Sequence, residues 1–115
     1  VWEQVTSTVP ANPIELESGK GYIASGGVTV NFRLPPSASA QVGDIYYIEG
    51  DVTDWILEQN VGESINLGPS SIFPGLGNGI QSTLPSDGVV ILCVFKGAPA
   101  DRFKVLDWSG NLLVF

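Results

Sequence analysis

The amino-acid sequence predicts an all-β domain, an antiparallel β-sandwich or barrel of jelly-roll type, and three observations carry that prediction. Fourteen glycines and eight prolines punctuate the chain at short intervals, and between them no uninterrupted stretch shows the 3.6-residue periodicity of a helix. The intervening runs are short and rich in valine, isoleucine and aromatic residues, which suit a pleated, half-buried surface. The best of them, Val28 to Leu34, alternates strictly: Val28, Val30, Phe32 and Leu34 face one way, and Thr29, Asn31 and Arg33 the other. Residues 1–115 are read as one domain, because a chain of this length has no room for a second core.

Each element follows from local composition. Val1 to Val5 and Ile14 to Glu17 read as strands, and Gly21 to Ala24 as a third that runs into the Ser25-Gly26-Gly27 turn. Pro35-Pro36 stops the Val28 strand, since proline cannot donate to a ladder. Asp44 to Glu49 and Trp55 to Gln59 read as a hairpin around residues 50–54, and Ser64 to Leu67 as a short strand ended by Gly68-Pro69. Pro69 to Asn78 is rich in turn residues yet carries Ile72, Phe73 and Leu76. A loop of that length is often functional, and its apolar residues are expected to cap the fold or touch a partner. Val89 to Phe95 is apolar on both faces, as in a central strand or one that faces both core and partner. Arg102 to Trp108 points Phe103 and Val105 inward, while Leu106 and Trp108 break the parity and imply either a bulge near Val105-Leu106 or a strand buried on both sides. After Ser109-Gly110-Asn111, the apolar Leu112 to Phe115 is expected to add a strand or enter a subunit interface.

Composition narrows the function. The chain is 43% hydrophobic and only 15% charged, with mean hydropathy +0.22, against about 25% charged residues in ordinary soluble domains. An apolar surplus of this kind fits surface covered by further copies of the chain. A net charge of −7 with five scattered cations offers no basic patch for nucleic acid, and anionic membrane surfaces are disfavoured for the same reason. The longest apolar run falls far short of the ~20 residues of a membrane-spanning helix, so no membrane insertion is expected. The chain does not open on Met, as expected of a fragment or processed product.

Catalysis is not expected. There is no histidine, which removes His-dependent triads and most general-base schemes. The single cysteine, Cys93, sits in an apolar run and reads as a buried hydrophobe. Gly75 to Gly79 lacks the Lys-Ser/Thr of a phosphate-binding loop. The acids of Glu49 to Asp54 include Asp51 and Asp54, which read as backbone-capping turn residues rather than a calcium loop, so neither metal nor cofactor is expected. Recognition has a better case, because sugar sites combine an exposed ring with planar polar groups. Trp108 with Asp107, Tyr47 and Asn66 are the candidates for ligand binding, and Val94, Phe95, Leu113 and Phe115 for a subunit interface. Trp55, at the head of a strand, reads as a core ring with a satisfied N–H.

An ordered set of short motifs then carries a resemblance. It runs through Gly21 to Ala24, Val28 to Pro35, Val42-Gly43-Asp44, Trp55 to Asn60, Gly62 to Ile65, Gly68, Ser82-Thr83 and Val89 to Cys93. Over roughly residues 20–111 the chain resembles a β-rich module near the C-termini of bacteriophage tail fibres and tailspikes, and of some bacterial collagen-like surface adhesins. That resemblance implies a C-terminal fragment of a longer fibrous protein, a homotrimer, and a place on the virion tail or the bacterial surface. It implies receptor binding to a host cell-surface polysaccharide or glycan, or a purely structural trimerisation cap. A third option is a carbohydrate-binding module appended to a depolymerase. It makes the Trp55-to-Asn60 stretch framework and identifies no catalytic residue. The acidic balance of the chain points to a neutral polysaccharide or a protein as the ligand.

Overall fold

The structure, a computed structural model, describes residues 1–6 and 13–115. Among the described residues twelve strands form two layers: β1 (Trp2–Thr6), β2 (Ile14–Glu15), β3 (Gly21–Ser25), β4 (Val30–Arg33), β5 (Ile45–Gly50), β6 (Trp55–Glu58), β7 (Glu63–Leu67), β8 (Ser70–Ser71), β9 (Gly79–Gln81), β10 (Gly88–Phe95), β11 (Asp101–Ser109) and β12 (Leu113–Val114). One layer is a seven-stranded sheet in the order β1-β3-β5-β10-β11-β7-β8, and the other a five-stranded sheet in the order β12-β9-β6-β4-β2. The one helical element among the described residues is a 3-10 turn at Ser37–Ser39.

The fold is all-β and sandwich-like, as expected, but its sheets are mixed rather than antiparallel. From β1 to β7 the chain alternates between layers, so each strand is the crossover for the two that flank it. β3 lies parallel to β1 and β5, and β4 parallel to β2 and β6. A parallel pair needs a connection long enough to return to the starting edge, and here a strand of the opposite sheet supplies it. The predicted hairpin between the Asp44 and Trp55 strands is corrected for the same reason. Residues 51–54 carry the chain from one sheet to the other, with Asp51 N–H donating to Ala24 and Thr53 N–H to Pro85. Val52 takes φ 50° in that crossing, a conformation uncommon outside glycine.

Antiparallel pairs are β7 with β8, β9 with β6 and β12, and β10 with both β5 and β11. As expected, β10 is central. One face (Val89, Ile91, Cys93) is in the core, whereas Val90 and Leu92 are half-buried and Val94 is exposed on the other. The parity break in β11 is a bulge: Ile91 pairs with Val105 and Val90 with Asp107, leaving Leu106 without an opposite number.

Tyr22, Phe32, Tyr46, Trp55, Leu57 and Phe103 fill the space between the layers. Tyr22 and Phe32 meet edge-to-face across the sheets at 5.6 Å, and each such buried side chain contributes about 2 kcal/mol. The Trp55 indole N–H donates to the carbonyl of Asp87 at 2.8 Å, which satisfies the one polar atom that burying this ring would otherwise strand. Leu112 is buried, and β12 adds an edge strand to the smaller sheet through Leu113↔Gln81 and Val114↔Ile80.

Candidate functional site

A concavity of about 580 Å³ opens at one end of the seven-stranded sheet. Its position follows from the parallel pairing of β7 with β11, which sets Glu63 opposite Asp101, Ser64 opposite Arg102 and Asn66 opposite Lys104. Ile65 and Phe103 point into the core, so by alternation Ser64, Asn66, Arg102 and Lys104 face outward. Two loops rise around this floor. The first brings Phe73 and Pro74, and the second, between β10 and β11, brings Ala98, Pro99 and Ala100, with Phe95 at its base.

Buried polar groups hold both loops. Gln59 is wholly buried; its amide donates to the carbonyls of Phe73 (2.9 Å) and Gly75 (3.2 Å) and accepts from the Ile65 N–H at 2.8 Å. Ser64 Oγ donates to the Ile72 carbonyl at 2.6 Å. On the other side Asp101 accepts from Lys96 Nζ at 2.8 Å, from the Gly97 N–H at 2.9 Å and from Ser37 Oγ. Burial alone would push the Asp101 carboxyl up, but these three donors outweigh it and hold it below the usual carboxylate range.

Glu63, next to Asp101 across the ladder, behaves in the opposite sense. It is wholly buried, Oε1 accepts from the Asn60 N–H at 2.9 Å, and Oε2 has no partner. Burial raises its carboxyl to about 7; the Asn60 bond opposes the rise, Asp101 adds to it and Lys96 opposes it. Inside the groove the polar side chains are few and pointed. Asn66 Oδ1 is buried with no hydrogen-bond partner, and the Arg102 guanidinium lies over the Phe95 ring at 4.5 Å from its centroid. Phe73 is 81% exposed, an apolar ring held by the backbone around it and left uncovered by the chain.

The candidate residues from the sequence divide among several places. Asn66 lines this groove. Trp108 and Asp107 lie together at a hollow of about 100 Å³ with Glu49 and Val90, well under the ~300 Å³ at which small-molecule sites begin. Tyr47 is one row across from Asp107, through Val90, and its ring packs on Trp2 with centroids 6.1 Å apart. Of the interface candidates, Val94 and Phe95 lie on β10, and Phe95 also lines the groove. Leu113 and Phe115 are exposed at the edge of the other sheet. Asp51 lines a second hollow of about 390 Å³ with Trp2, Gln4 and Glu49, and Asp54 is exposed. Among the described residues no three acidic or thiol side chains converge as metal ligands.

The sequence does not single out Arg102 and Trp2, and it offers Phe73 only as one apolar residue of a loop expected to cap the fold or touch a partner. Trp2 lies flat across Gly21, where a Cβ would come within 2.4 Å of the indole. The signal was there in part, as Phe73 was noted within a long loop of turn residues. Only the β7–β11 pairing brings it to Arg102. No protein-family model matches the chain, and no curated protein matches it.

Proposed function

We propose that the chain is a non-catalytic binding domain that assembles as a trimer at the tip of a phage tail fibre or tailspike and attaches to a host cell-surface glycan. The observation that carries the binding half is the groove at Asn66. It is about 580 Å³, within the size of small-molecule sites, and it sets aromatic and proline rings beside the polar residues Ser71, Asn66 and Arg102. A sugar ring presents an apolar C–H face and a rim of hydroxyls, and these walls match both. A site of this kind binds weakly alone, and three copies on one fibre supply grip through avidity.

Two apolar patches support the assembly half. The outer face of the large sheet carries Trp2, Ile23, Tyr47, Val90, Leu92 and Val94, interrupted in the same rows by Glu49, Lys104 and Asp107, while Leu113 and Phe115 stand at the edge of the other sheet. Two dissimilar patches on one subunit suit a head-to-tail contact, and such contacts close into rings. Light scattering tests this directly: a trimer is expected for the native chain and a monomer for Val94→Asp and Phe115→Asp, since an unpaired charge in a dry interface costs several kcal/mol. A native monomer would refute the assembly. A glycan array read with the native chain and with Phe73→Ala tests the binding, and a trimer that retains no glycan would leave the structural cap as the function.

A further inference from the structure

We propose that the groove at Asn66 takes an acidic saccharide, one whose sugar carries a carboxylate, and that Arg102 with Lys104 selects for that group. The inference rests on the glycan reading above and names the class of sugar. The chain holds twelve carboxylates and five cations, so a cation left without an acid is a position where none was placed. Among the described residues Lys20 pairs with Glu3, Arg33 with Glu58 and Lys96 with Asp101. The two that remain, Arg102 and Lys104, stand two residues apart on one strand, exposed, on the same outward face. That face borders the groove at Asn66, which among the described residues no carboxylate lines.

The net charge of −7 points to a neutral ligand, but a net charge acts at long range and a site acts at contact. At physiological salt, exposed charges beyond about 8 Å are largely screened, and a guanidinium within hydrogen-bond reach of a carboxylate is not. Arg102 is also preorganised: its guanidinium lies on the Phe95 ring, and that stacking leaves the planar edge with its N–H donors available for a forked contact with two carboxylate oxygens. Phe73 offers an exposed ring face for the apolar side of the sugar. A peptide rich in acids would meet the same cations but has no use for a flat aromatic wall.

Calorimetry with the native chain and three probes decides the matter: an oligogalacturonate, its methyl ester and an oligoglutamate. The oligogalacturonate should bind about tenfold more tightly than its ester, and its affinity should fall with added salt. Arg102→Gln with Lys104→Gln should abolish that preference while leaving the melting temperature in place, because both side chains are exposed. Equal affinity for acid and ester, with both lost in Phe73→Ala, overturns the acidic preference and leaves the groove a glycan site. Oligoglutamate binding as tightly as the sugar acid overturns the saccharide class. Failure of every saccharide, here and on the array, overturns both the inference and the reading beneath it.

Discussion

Replacing Glu63 by glutamine should make the protein more stable above neutral pH and remove most of its pH dependence between 5 and 8. Glu63 is wholly buried, with one carboxylate oxygen unpartnered, and burial raises its carboxyl from 4.5 to about 7. A group raised on folding contributes stability that is complete below its unfolded value and is lost as pH climbs through its folded one. The window therefore runs from 4.5 to about 7. At about 1.4 kcal/mol per pH unit, the native chain should lose about 2.5 kcal/mol between pH 5 and pH 8. Asp101, held low by Lys96 and its other donors, works the other way and only in stronger acid, below its ordinary value of 3.8. With no histidine in the chain, the side chain that most often titrates near neutrality is missing, which leaves the window clear. Glutamine keeps an oxygen for the Asn60 N–H and carries no charge. Urea unfolding at pH 5, 6, 7 and 8 should show a falling midpoint for the native chain and a nearly level one for Glu63→Gln, with equal slopes in denaturant. A variant that tracks the native pH profile would refute the reasoning.

Three further outcomes can be stated. Asp87→Ala should lose about 3 kcal/mol, since the buried carboxylate accepts from the N–H groups of Thr83 (2.9 Å) and Leu84 (3.0 Å) and holds that turn in place; thermal unfolding would show a drop of about 10 °C or more, and a drop of only a degree or two would be at odds with that account. Gly21→Ala should push the Trp2 ring off Tyr47, because the new Cβ would fall 2.4 Å from the indole; a red-shifted tryptophan emission with about 1 kcal/mol of lost stability is expected, and an unchanged spectrum would contradict the stacking. Trp108→Ala should leave both the melting temperature and groove binding as they are, the ring being 45% exposed over a small hollow; weakened glycan affinity would move the binding surface to that edge.

How far the sequence could be read depended on whether a residue's setting was local. Val30, Phe32 and Leu34 are buried as their alternation demanded, although Val28, the first of that series, is 58% exposed beyond the strand. The Leu106 bulge was legible because a break in parity is itself a local signal. The direction of neighbouring strands was not, since residues 44–59 read equally well as a hairpin or as two strands joined by a crossing between sheets. The difference lies in contacts such as Asp51 to Ala24 that span the layers. The groove was hidden for the same reason. Asn66 could be chosen for its chemistry, but the residues that surround it come from positions 64–74 and 95–102, joined only when β7 finds β11.

The buried polar residues are the feature that composition most obscures, and their placement bears on what the groove is for. Gln59, Glu63 and Asp101 are all nearly or wholly buried, and each is expensive in a core unless satisfied. Gln59 holds the Phe73 loop, Asp101 holds the turn from Lys96 to Gly97, and Glu63 holds Asn60 beside both. A domain needing only to fold would do better with apolar residues at those positions. Their concentration at one end means the two walls of the groove are fixed relative to each other before any ligand arrives. Fixing them in advance spares the ordering entropy that binding would otherwise incur, and that saving matters most for a site whose single-copy affinity is low. The same reasoning sets the order of events at raised pH. As Glu63 ionises, the end of the sandwich that carries the groove should loosen before the Trp55 core does. Amide exchange at Ile65 and Gly75 should therefore quicken more between pH 6 and pH 8 than exchange at Leu57, once the intrinsic base catalysis common to all amides is removed.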